Sequence, residues 1–386
     1  PGGGKYTNPI LFSDYSDPDV IRVGDDYWMT ASSFTCFPGL QILHSTDLVD
    51  WEIVGAALPE MGPAFDVPSH GNGVWAPCIR YHDGRYWIFW GDPDKGVFQV
   101  NTTDPRGEWS KPHLVLEGKG LIDTSPLWDD DGRVYLVHAW AGSRAGFKSI
   151  LNVCELDKDC IRVISDQVLV FDGKKTGDDT VEGPKFYKRD GWYYIFAPSG
   201  GVKEGWQLVL RSRDVYGPYE KRTVLHQGNT DIHGPHQGGW VTDVAGDDWF
   251  IHFEDRYSWG RVCHLQPMTW NEDGWCIIGT DQNGDGIGEP VLSYRRPAVA
   301  EKYRGSKLQG TSALATTTGF TGTSIPLNWQ WEANPKFHWF MLNPSLGCLR
   351  LNCIKNPEGW KNLRDTPNIL AQKVVGPSME FTTKLV

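Results

Sequence analysis

Three acidic residues share one offset from a turn. Asp17, Asp123 and Glu182 each stand eight positions ahead of an aspartate (Asp25, Asp131 and Asp190), and Trp75 stands eight ahead of Asp83. His236 stands eleven ahead of Asp247. Taken singly, an acid before Pro is simply a solvated turn starter. A shared offset says more, because it places the side chains at related points of a repeating architecture. Hydrolysis of a glycosidic bond needs such a set: one protonated carboxyl for the leaving oxygen and one ionised carboxyl for water. In inverting enzymes the two stand about 6.5–9.5 Å apart. A third carboxylate beside the acid raises its pKa by like-charge repulsion. Glu reaches further than Asp, which suits Glu182 to proton donation, and Trp75 offers a flat face to the C–H side of a sugar.

The elements that must position these residues recur with them. A turn followed by an aromatic strand appears as "GDDYWMTAS" (24–32), "HDGRYWIFWG" (82–91), "DDGRVYLVHAW" (130–140), "RDGWYYIFAPS" (189–199) and "GDDWFIHFED" (246–255). Asp-Gly between strand-forming runs is a hairpin signal. Five units of about four short strands describe an all-β, five-bladed β-propeller over residues 8–300, with the strand before each turn innermost. On that reading Asp17, Trp75, Asp123, Glu182 and His236 take equivalent places around the channel mouth. The ring is expected to close by sharing one blade between the N- and C-terminal segments.

Composition narrows the partners. The net charge of −11 and the scatter of Lys and Arg disfavour nucleic acid, which calls for a basic face. No apolar run approaches bilayer-spanning length, so no membrane partner is expected. A neutral oligosaccharide or polysaccharide fits better. The eight Cys form no C-x-x-C pair, which argues against structural zinc, and a Cys154–Cys160 disulfide is open. The start "PGGGKYTNP" is not a signal peptide, and Asn101 opens an N-x-T sequon. An extracellular or periplasmic location is expected for an enzyme of such substrates. Composition gives no expectation for oligomeric state.

"SDPDVIRVGDDYWMTASSF", "FPGLQILHSTDLVDW", "VWAPCIRYHDGRYWIFW", "IDTSPLWDDDGRVYLVHAW" and "VEGPKFYKRDGWYYIF" together resemble family 43 glycoside hydrolases. These are five-bladed propellers acting mostly on pentose-containing plant polysaccharides. The resemblance implies Asp17 as general base, Asp123 as pKa modulator and Glu182 as general acid, with inversion. It also implies Arg261 as a substrate-binding residue, with Phe34 and Trp75 lining the terminal-sugar subsite. His236 matches a histidine often found at the channel centre beside water or calcium. A structural Ca2+ near it is therefore a candidate, although the "GPHQGGW" context differs from the commoner Gly-His-Ala-Asp, and no cofactor is required. His233 competes for that place, and Arg261 has Glu254 and Asp255 as alternative partners. "DQNGDGIGEP" (281–290) opens like a calcium loop but has Ser293 where the bidentate Glu belongs, so it reads as a polar turn.

Residues 301–322 read as a Gly/Ser/Thr-rich linker. Residues 323–386 hold short alternating strands resembling the start of the accessory β-sandwich of family 43 xylosidases and arabinofuranosidases, apparently cut short. The resulting expectation is an inverting, exo-acting hydrolase releasing terminal xylose and/or arabinofuranose from hemicellulose oligosaccharides. Two rivals are an endo-acting arabinanase or xylanase on the same fold, and a non-catalytic carbohydrate-binding propeller.

Overall fold

The computed structural model describes residues 4–307, 311–314 and 316–385. Five antiparallel sheets surround one axis, each built from strands consecutive in sequence. Their innermost strands are Asp19–Val23, Trp75–His82, Leu121–Trp128, Lys185–Arg189 and His236–Thr242. The aromatic strands of the sequence repeat lie next outward, where alternating side chains enter the spaces between blades. Each of the five interfaces has its own buried cluster, for example Trp28, Ile42, Ile79 and Trp90 between the first and second blades. Burying one such side chain contributes roughly 1.5–3 kcal/mol, so the ring is stabilised joint by joint.

The ring does not close by an N-terminal strand within the fifth sheet, although Thr311–Ser312, after the last blade, adds a strand to the first. The N-terminal segment instead crosses the outside of the fifth blade as a strap. Lys5–Thr7 pairs with Ser293–Arg295. Asn8 donates to the carbonyls of Leu265 and Val291 and accepts from the Leu265 N–H. Leu11 exchanges backbone hydrogen bonds with Cys263. Inside, the first and fifth blades meet so closely that a Cβ on Gly239 would lie 2.6 Å from Asp19 Oδ1. Tyr6, Leu11 and Tyr15 join the core at this joint, which adds packing to the strand that Thr311–Ser312 lends the first blade.

The expected linker contributes a short strand, Thr311–Ser312, to the outer edge of the first blade; its residues 308–310 and 315 lie outside the described residues. Beyond it, Trp329–Trp331 pairs with Leu370–Gln372 and Phe340–Asn343 with Cys348–Leu351. This segment docks on the first blade through paired backbone groups of Phe37 and Trp331, and through Gln330 donating to the Pro38 carbonyl. All eight cysteines are free, so the open Cys154–Cys160 pairing does not form; both thiols are buried as small apolar groups. Residues 281–287 form a polar turn, with Asp281 accepting from the N–H groups of Gly284 and Gly286.

Candidate active site

The eight-residue offset conceals two distinct positions. In the second and fourth blades the turn is Asp-Gly with positive φ at both residues (Asp83 47°, Gly84 73°; Asp190 51°, Gly191 71°), a type I′ geometry. In the first blade it is Gly24-Asp25 with positive φ at the glycine alone, so the aspartate comes one residue later. Pairing registers correct for this. The inner strands jump register at Trp75/Cys78, Ile122/Ser125 and His236/Gly238. Each jump carries a left-handed residue, and the matching residues around the ring are Asp17, Ala76, Asp123, Gly183 and Gln237. Trp75, Glu182 and His236 stand one step earlier. The expected equivalence of all five therefore resolves into two tiers at the mouth of the axis.

Both tiers open into one cavity of about 250 Å3, lined by Asp17, Phe34, Trp75, Ala76, Ile122, Asp123, Glu182, Gln237 and Arg261. The three acids, the two aromatic residues and the arginine singled out in the sequence are thus brought together. Asp17 is 5% exposed. Its Oδ2 accepts from Ser16 Oγ at 2.6 Å and Ser32 Oγ at 2.7 Å, while Oδ1 accepts from Arg261 Nη1 at 2.9 Å. Ser32 also accepts from the Ala76 N–H, tying this network to the second blade. Three donors, one of them cationic, fix the orientation of the Asp17 carboxylate. Arg261 pairs here rather than with Glu254 or Asp255.

Asp123 and Glu182 are linked through a glycine. Asp123 Oδ2 accepts the Gly183 N–H at 2.8 Å, immediately after Glu182. A side chain at 183 is ruled out: with φ at 59°, a Cβ would lie 2.7 Å from Gln237 Cδ and 2.8 Å from Pro198 Cγ. Burial, then the Asp123 and Asp17 charges, push the Glu182 carboxyl up to about 8 against the pull of Arg261 and Lys148. Asp123 is also raised, by burial and by Asp17, with the Gly183 N–H, Lys185 and Arg261 opposing. Two adjacent carboxyls in one dry site hold a proton between them. The Gly183 N–H favours the ionised form of Asp123, which leaves the greater proton affinity with Glu182.

The walls are apolar on one side. Phe34 and Val74 exchange backbone hydrogen bonds, and Gly73 must be glycine because a Cβ there would lie 2.4 Å from the Phe34 carbonyl oxygen. That clamp sets Phe34 beside Trp75. The Trp75 indole donates to the Gly71 carbonyl and lies under the Arg144 guanidinium, 5.4 Å from the ring centre. Beneath the cavity the axis is plugged by polar groups. Arg80 Nη1 pairs with Asp19 Oδ2 at 2.7 Å, and the fully buried Lys185 donates to the Pro77 carbonyl.

His236 does not line the cavity. It is 1% exposed, its Nδ1 bonds the Gly234 carbonyl, and its ring packs on Phe253. Burial lowers its pKa to about 4, so the imidazole is neutral. His233 lies further out, against Glu254 and the Lys203 carbonyl. Among the described residues no group of three or more His, Cys, Asp or Glu could hold a metal ion. The Nε2 of His236 is buried without a protein partner.

Sequence reasoning missed Gln237, Ser16 and Ser32. Gln237 directly follows His236, and only the register jump shows which of the two reaches the cavity. The serines flank Asp17 in sequence and across its hairpin, where no spacing rule marks them.

A carboxylate held by Arg261, a carboxyl of raised proton affinity in the same cavity and an apolar shelf can together move a proton onto one oxygen and off another around a small neutral ring. Comparison with known proteins agrees. Residues 6–276 match the Glycosyl hydrolases family 43 profile, and 317–386 match the Beta xylosidase C-terminal Concanavalin A-like domain. A putative beta-xylosidase of Xylanibacter ruminicola is 39% identical over 387 residues, covering 100% of this chain and 69% of its own. A non-reducing end alpha-L-arabinofuranosidase of Bacteroides ovatus is 31% identical over 368 residues, covering 90% and 64%. The chain thus spans about two thirds of the length of these curated relatives. The solved structure of a xylan beta-1,4-xylosidase from Bacillus halodurans superposes with a TM-score of 0.80 at 26% identity, over 96% of this chain and 72% of that one. With the profile covering the whole propeller and every acid of the cavity inside it, the chain belongs to family 43 of the glycosyl hydrolases.

Proposed function

We propose that the chain is an inverting exo-glycosidase that releases terminal xylose or arabinofuranose from hemicellulose oligosaccharides. The observation that carries this reading is the pairing of Asp17 and Glu182 across a small cavity with a plugged floor. A volume of about 250 Å3 corresponds to on the order of eight waters at ~30 Å3 each, room for one sugar ring. A polymer threading through for endo cleavage needs an open cleft at both ends. Relatives named beta-xylosidase and alpha-L-arabinofuranosidase support the two pentoses.

In this scheme Glu182 gives its proton to the glycosidic oxygen as the bond to the anomeric carbon breaks. Water attacks the opposite face and passes its proton to Asp17, so the products carry inverted configuration. Asp123 acts through Glu182, holding the Gly183 N–H and keeping the acid protonated. Phe34 and Trp75 receive the C–H faces of the sugar. The test is a panel of p-nitrophenyl pentosides with NMR of the first-formed anomer. Release of monosaccharide with inversion is expected from β-xylosides, α-L-arabinofuranosides or both. First-formed product with retained configuration, or oligosaccharide release from polymer, overturns the reading.

A further inference from the structure

Of the five left-handed positions around the axis, two carry carboxylates (Asp17, Asp123), two carry a methyl or a hydrogen (Ala76, Gly183), and the fifth carries Gln237. Left-handed backbone is uncommon for a residue of this size, so the fold holds Gln237 there against a local preference. The hold is specific: its backbone N–H donates to Gln207 Oε1 at 2.9 Å, and Gln207 is itself buried. The side chain lies along the Glu182–Gly183 peptide, where a Cβ on Gly183 would touch Gln237 Cδ. Gln237 is 3% exposed and lines the cavity, yet among the described residues its side-chain amide has no hydrogen-bond partner. An amide that faces a cavity gains a hydrogen bond when a polar group enters. The cavity is the direction from which a partner can come.

We propose that Gln237 is a specificity-determining residue whose side-chain amide hydrogen-bonds a hydroxyl of the terminal sugar, an inference that rests on the glycosidase reading above. A carboxamide both donates and accepts, which matches a hydroxyl or two neighbouring hydroxyls. Being neutral, it reads them without disturbing the charge balance that keeps Glu182 protonated. Asp17 and Asp123 occupy the matching positions for proton traffic, whereas Gln237 occupies the same kind of position for recognition.

The test pairs Gln237→Leu, which keeps the bulk and removes the polar atoms, with singly deoxygenated aryl pentosides. On the parent glycoside the variant is expected to lose roughly tenfold or more in kcat/KM, with its pH profile unmoved. On the one analogue lacking the recognised hydroxyl, wild type and variant are expected to be equal. Parent activity within twofold of wild type overturns the inference, and so does an equal loss on every deoxy analogue, which marks packing through Gly183. If the leucine variant does not fold, Gln237→Met, close in length and without the amide, is read against the same series. Wild type inactive on both pentosides overturns the substrate reading, and the Gln237 comparison is then run on deoxy forms of the glycoside the wild type does cleave.

Discussion

Asp17 and Asp19 are two residues apart, both buried, and differently employed. Asp19 faces the plug, where Arg80 Nη1 and the Ile79 N–H converge on one oxygen. Asp17 faces the cavity, where its partners are two hydroxyls and an arginine that also lines the cavity. Below the mouth of the axis, charge is matched by opposite charge and the interior is stabilised. At the mouth, three carboxyls share one cation, and the excess negative charge appears as a raised proton affinity on Glu182. Burial alone does not make an acid chemically useful. Surplus like charge within reach of solvent does.

Breaking the mouth has the largest expected effect. On the proposed scheme Asp17→Asn removes the acceptor for the water proton and is expected to cut kcat by roughly 10³–10⁴ whatever the leaving group. Glu182→Gln is expected to cost as much on xylobiose but little on aryl glycosides whose leaving groups need no proton. Equal losses for the two variants on both substrates would erase the division of labour. Breaking the plug is next. Arg80→Met strands Asp19 in the interior and is expected to cost about 3–5 kcal/mol of stability, read by denaturant unfolding; an unchanged midpoint would show that the plug holds nothing.

The smallest effect is a shift of pH dependence. On the proposed scheme Glu182 must be protonated to act, so activity is expected to fall as pH rises through its raised value of about 8. Asp123→Asn removes a neighbouring negative charge, which lowers that value. The alkaline limb of kcat/KM is therefore expected to move down by about one pH unit or more, with loss at neutral pH greater than at pH 5. A limb that stays in place assigns Asp123 to positioning alone.

Much of this was legible in the sequence. The aromatic strands and their turns carry the five-blade repeat, and the acids ahead of them carry the site. What failed was the count. Gly24-Asp25 and Asp83-Gly84 both make two-residue hairpins, but the aspartate takes the second place in one and the first in the other, so equal offsets reach different tiers. The backbone conformation of a turn is only partly written in its composition. Ring closure was read only in part for a related reason. The strap depends on Asn8 bonding Leu265 and Val291 across more than 250 residues, and no local pattern announces such a contact. Gln237 was hidden by its neighbour, because a histidine attracts chemical attention and an amide does not.

The strap has a consequence for when the enzyme becomes one. Asp17 heads the first blade, but Arg261, which orients it, begins the third strand of the fifth. The two meet across the joint that closes the ring, where Tyr15 donates its N–H to the Arg261 carbonyl and Arg261 donates its own to Asp14 Oδ1. A chain emerging from the ribosome carries Asp17 almost from the outset, but Arg261 reaches it only when the last blade has folded back on the first. Turnover is thus a certificate of assembly: half-built propellers are silent, and each active molecule has completed its circle.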